Sequence, residues 1–196
     1  ARVARPVSAD DHGPACLILA AAATLAVLAL GTGSLGLAAA GAALALLTAR
    51  IAWQDLTDFT IPDSATLALA ILGLGWRVAA ASEAGEELSA ELALVALDGL
   101  LCGGALLVLR EAYFRRRGHD GIGLGDVKLA AAGGILVGTS GFAWCLFGAS
   151  FLGILLLVGR RALATQDGTP EPRLAFGAVL APALALGWLL AAVPIG

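Results

Sequence analysis

The feature that most constrains this chain is a succession of seven apolar blocks, at 14–31, 37–53, 64–80, 91–110, 127–138, 141–159 and 174–194. A helix needs about 20 apolar residues, or about 17 at the short end, to cross the hydrocarbon of a bilayer. All but the fifth block reach that length; the fifth either begins within the preceding polar stretch or crosses only part way. Hydrophobic residues make up 59% of the chain and charged residues 14%, where a soluble domain carries about 25% charged. Lipid cannot hydrogen-bond a backbone, so blocks of this length are helices. The expected fold is an all-α polytopic bundle of about seven spans (range six to eight). It is read as one membrane-embedded domain over 1–196, with a polar cytoplasmic tail at 1–13.

The basic residues orient the bundle. Arg2 and Arg5 precede the first block, and Arg50 closes the second. Arg110, Arg115, Arg116 and Arg117 follow the fourth, Lys128 opens the fifth, and Arg160, Arg161 and Arg173 follow the sixth. With alternating crossings all fall on one face, which the excess of positive charge marks as cytoplasmic. The opposite stretches, 31–36, 82–91 and 138–141, hold no Lys or Arg. The N-terminus is therefore expected inside and the C-terminus outside, and the first block is read as a membrane helix rather than a signal peptide. Arg77 alone breaks the pattern.

Other classes are disfavoured. No basic tract is interleaved with aromatics, so nucleic acid is not an expected partner. Cys16, Cys102 and Cys145 stand singly in apolar blocks. Without a CxxC, neither a zinc site nor a disulfide framework is indicated, and no metal or cofactor is called for. Small residues at 38–41, 103–104 and 130–134 suit close helix packing in lipid, without assigning an oligomeric state.

Two polar stretches carry the chemistry. One runs from Trp53 through Asp55, Asp58, Ile61 and Pro62 to Asp63. The other reads Gly121, Ile122, Gly123, Leu124, Gly125, Asp126, Val127, Lys128, Leu129. Both are expected in loops at the cytoplasmic face, returned to one side by the two blocks between them. A carboxylate pair hydrolyses a peptide when one ionised Asp takes a proton from water and a protonated Asp polarises the carbonyl; close together, the two share a proton. The glycines beside Asp126 permit positive φ and close approach of another segment. Plainer readings stand beside this one: Asp126 as a helix cap, and Asp55 as a solvated loop carboxylate.

At these residues the sequence resembles the type IV prepilin peptidase family of GxGD-type membrane aspartic proteases. That family places an Asp seven residues before the Pro of an Ile-Pro-Asp or Ile-Pro-Asn stretch, as do Asp55, Ile61, Pro62 and Asp63 here. Its second motif, GxGD followed by a hydrophobic residue, Lys and Leu, is met by Gly123 to Leu129. Phe176 and Gly177 match the start of a Phe-Gly-Pro element, with Ala178 in place of Pro. The resemblance covers roughly 37–196. It implies that Asp55 and Asp126 are the catalytic pair, with Asp58 and Asp63 as competitors for the first role. Gly123, Gly125, Lys128, Pro62 and Asp63 would be motif-supporting, Lys128 by biasing Asp126 towards its ionised form, and Pro62 with Asp63 by setting the turn into the next helix. It further implies prepilin or pseudopilin substrates, a bacterial or archaeal cytoplasmic membrane, and a short form without the CxxC region associated with N-methylation. The competing reading is a transporter or ion-handling protein that uses Asp55, Asp98 or Asp126. Asp98, in the outer half of its block, is expected to be structural and to pair with Arg77.

Overall fold

The computed structural model describes residue 26 and residues 35–118, 121–163 and 175–192. Apart from residue 26, the expected block at 14–31 lies outside these, as do Asp120, Asp167 and Glu171. Among the described residues every regular element is helical: α1 Leu35–Asp58, α2 Asp63–Ala84, α3 Leu88–Arg117, α4 Leu124–Leu163 and α5 Phe176–Ala192. Four of them are long and apolar enough to cross a membrane, and α5, with 17 residues, is shorter. The chain is therefore built as a multi-pass membrane protein. The count of seven is not recovered, because the first block lies outside the described residues and two expected blocks form the single element α4.

α4 is broken at Gly138, whose φ of 73° and ψ of 167° are non-helical and essentially open to glycine only. The chain reverses there. Gly133, before the break, faces Leu184 of α5, while Cys145, after it, donates to the carbonyl oxygen of the adjacent Ala183. In a straight helix those two positions would be separated by about 18 Å. The expected blocks at 127–138 and 141–159 are thus the two arms of a helical hairpin, and the first arm begins earlier than its hydrophobicity indicates, at Leu124.

The other boundaries follow from local chemistry. α1 ends where Phe59 takes a φ of 51° and its N–H bonds to Asp55 O at 3.0 Å. Pro62, extended and lacking an N–H, precedes α2. Gly85 (φ 71°) and Gly118 (φ 73°) end α2 and α3 in the left-handed conformation usual at helix C-termini.

Packing centres on α4, which meets α2, α3 and α5, while α5 also packs on α1. Glycine makes the approach close. A Cβ on Gly73 would lie 2.8 Å from Leu136 Cα, and one on Gly134 would lie 2.5 Å from Asp98 O. Leu44, Ile51, Leu69, Leu129, Leu180 and Leu184 are fully buried. Trp144 and Phe147 on the second arm are 76% and 67% exposed, an outward face suited to lipid.

Candidate active site

Asp55 lies in the last turn of α1, not in a loop, because the helix continues to Asp58. Its side chain faces inward and is buried at 6% exposure, whereas Asp58 is exposed. A buried carboxylate needs hydrogen-bond donors, and one comes from the start of α5. Ala178 N–H donates to Asp55 Oδ2 at 2.9 Å. It belongs to the first turn of α5, where backbone N–H groups lack helical partners and the helix dipole favours negative charge.

Asp126 is the third residue of α4. Its Oδ2 accepts the N–H of Gly123 at 3.2 Å, the reach-back of a capping box. The cap position is Gly123, so Asp126 is not the N-cap itself but reaches back to it from within the first turn. The loop before it is held by α3: Arg110 Nε donates to Ile122 O at 3.1 Å, and the Tyr113 ring covers Gly121. Asp55 and Asp126 are close enough to interact electrostatically.

Ile61 packs against glycines on both sides of the site. A Cβ on Gly125 would lie 3.0 Å from Ile61 Cβ. One on Gly177 would lie 2.8 Å from Ile61 Cδ1 and 3.0 Å from Asp55 Oδ2. The glycines next to both carboxylates thus admit one isoleucine side chain. Neither Gly123 nor Gly125 has a positive φ, so close approach, not unusual backbone, accounts for glycine at Gly125.

Lys128 departs from the expectation. Its ammonium donates to Asp63 Oδ1 at 2.7 Å rather than serving Asp126. Asp63 is the first residue of α2, and Pro62 before it takes the cap position without a side-chain bond.

At the far end of the first arm of α4, Arg77 Nη1 pairs with Asp98 Oδ2 at 2.5 Å and Arg77 Nε with Glu91 Oε1 at 2.6 Å. Asp98 Oδ1 also accepts the N–H and hydroxyl of Thr139, at 3.0 and 2.6 Å, at the start of the second arm. Thirteen residues of helix, about 20 Å, separate Asp126 from Thr139, so this cluster stands apart from the aspartate pair.

Six residues around these two clusters were given no such role by the sequence. Gly177 and the Ala178 amide carry no side-chain signal, though the Phe-Gly match pointed at that turn. Ile61 was visible only as part of a motif, Arg110 only as a topological charge, and Thr139 and Glu91 not at all. The model of a family described as the type IV leader peptidase family matches residues 42–158. No curated protein and no solved structure matches the chain.

Proposed function

The chain belongs to the type IV leader peptidase family, and on that premise we propose that it is an aspartic endopeptidase in which Asp55 and Asp126 share the catalysis. The observation that carries this reading is their juxtaposition. The two carboxylates feel each other's charge, Ile61 packs against Gly125 beside Asp126 and against Gly177 beside Asp55, and Asp55 is buried and bonded by the Ala178 N–H of a third helix. One, ionised, takes a proton from water as the water oxygen attacks the peptide carbonyl. The other, protonated, gives its proton to the carbonyl oxygen. When the tetrahedral intermediate collapses, the C–N bond breaks and the amine leaves with a proton. The chain's own carboxylates supply all the acid–base chemistry this needs.

The substrates of this reading are prepilin-like proteins, with a basic leader removed just before a hydrophobic helix. The aspartates would then face the cytoplasm, in a cytoplasmic membrane of a bacterium or archaeon, with the N-terminus inside and about seven crossings. The placement of Lys and Arg supports that orientation. Family membership disfavours the transport alternative.

The decisive experiment is co-expression with candidate prepilins, with leader removal read by mass. Cleavage by wild type, and its loss in both Asp55→Asn and Asp126→Asn, supports the proposal; cleavage by either variant at the wild-type rate removes that residue from it. A cysteine at Glu87 that labels only from the cytoplasmic side would overturn the orientation.

A further inference from the structure

Three of the six residues that join α3 to α4, 118–123, are glycine. Glycine gives up more backbone freedom on folding than any other residue. A loop of this composition therefore needs anchors if the carboxylate it leads to is to keep one place. The anchors come from the end of α3. That helix has 30 residues, about 45 Å at 1.5 Å per residue, against about 30 Å of hydrocarbon. Its charged last turn, Arg115 to Arg117, extends past the apolar layer. Just before that turn, the Tyr113 ring lies where a side chain on Gly121 would be, and Arg110 Nε donates to Ile122 O at 3.1 Å.

The second anchor leads directly to Asp126. The Ile122 carbonyl and the Gly123 N–H belong to one planar peptide unit, and that N–H is the one Asp126 Oδ2 accepts at 3.2 Å. One amide thus stands between a guanidinium on its oxygen and a carboxylate on its N–H. Hydrogen bonds in such a chain polarise one another, and the guanidinium keeps its charge at every working pH. Lys128, which follows Asp126 closely in sequence, is turned to Asp63 instead.

We propose that Arg110 is a positioning residue for catalysis: through the peptide unit of Ile122 and Gly123 it holds the amide that Asp126 accepts, and so fixes where the Asp126 carboxylate points. The inference rests on the aspartic-protease reading and adds to it a residue outside both sequence motifs. Arg110 acts through the loop and not on the substrate. A reacting group misplaced by about 1 Å can cost about a hundredfold in rate, so a loosened loop lowers kcat and leaves substrate binding as it was.

Kinetics of a purified protein that cleaves a prepilin peptide, expressed per folded molecule, test this. Arg110→Ala is expected to lower kcat about tenfold with KM within about twofold, the size of one lost hydrogen bond to a charged group. Arg110→Lys, whose ammonium offers a single charged donor to the same carbonyl, is expected to bring the rate back to within about threefold of wild type. Arg116→Ala, which removes a like charge from an exposed position further along the same helix, is expected to leave both constants unchanged. An alanine variant of Arg110 at the wild-type kcat, or a lysine variant no faster than the alanine one, overturns the assignment. So does an equally slow Arg116 variant, which would mean that charge at this end of α3, and not the bond to Ile122, sets the rate. A raised KM at unchanged kcat would make Arg110 a binding residue and overturn it as well. Where alanine at 110 prevents folding, Arg110→Gln decides, since it keeps an uncharged N–H donor on a shorter stem. It is expected to be severalfold slower than wild type, and a wild-type kcat overturns the assignment. A wild-type protein that cleaves no prepilin peptide fails the protease reading itself, an outcome distinct from all of these.

Discussion

Lys128 Nζ lies 2.7 Å from Asp63 Oδ1, so the stretch that follows Asp55 and the stretch that contains Asp126 are tied together by an ion pair. Both side chains are more than half exposed. Solvent screening keeps such a bridge below about 1 kcal/mol. Lys128→Ala and Asp63→Ala are each expected to change the melting temperature in detergent only slightly and to lower cleavage no more than severalfold. The charge-swapped double variant, Asp63→Lys with Lys128→Asp, should recover whatever is lost. A variant of either residue that folds but is wholly inactive would mean that the bridge does more than hold two loops in register.

Asp55→Asn and Asp126→Asn are expected to reduce cleavage about 10²–10⁴-fold each, the range of a lost general acid or base. The double variant should be little worse than the weaker single, because the pair acts as a unit. Asp58→Asn, at an exposed residue on the outer side of the same helix turn, should keep substantial activity. An inactive Asp58 variant beside an active Asp55 variant would move the site by one turn of α1's register.

Ile61 fills the space left by Gly125 and Gly177. Gly125→Ala should therefore crowd it and displace the carboxylates, at about 1–3 kcal/mol of overpacking. Cleavage should fall in that variant, and Ile61→Ala in the same background should restore part of it by making room. Gly75, where an added Cβ meets nothing within 4 Å, is the control: Gly75→Ala should leave activity unchanged. If the Ile61 substitution rescues nothing, the crowding account is wrong; activity measured per folded molecule distinguishes the cases.

Asp98 serves two partners, Arg77 and the start of the second arm of α4 at Thr139. Both side chains of the Arg77–Asp98 pair are part-buried, and removing one partner of such a bond costs on the order of 1 kcal/mol. Arg77→Ala should lower the yield of folded protein, and Asp98→Ala should lower it more, since it also uncaps the second arm. The double variant should exceed Asp98→Ala, because no lone guanidinium remains between Asp98's place and Glu91. Cleavage per folded molecule should stay nearly constant throughout, and a folded but inactive Asp98→Ala would place the residue in the mechanism instead.

The sequence by itself determined the helical class, because apolar blocks of this length in lipid have no other way to satisfy their backbone. It also placed a turn within 138–141, where Gly138 breaks the helix, and it singled out both aspartates through the residue types around them. Arg77 was legible as a charge in need of a partner because it stood alone on its face. Tertiary structure decided the rest. Hydrophobicity fell off near Trp53, yet α1 runs on to Asp58 and so turns Asp55 inward, since polar residues continue a helix as readily as apolar ones. Lys128 was aimed by proximity in sequence at Asp126, but Asp63, 65 residues away, lies within reach of its ammonium. The donor to Asp55 is a backbone N–H group 123 residues along the chain, that of Ala178. Every residue but proline has such a group, so the packing of α5 against α1, and not any side chain, selects the one that meets the carboxylate.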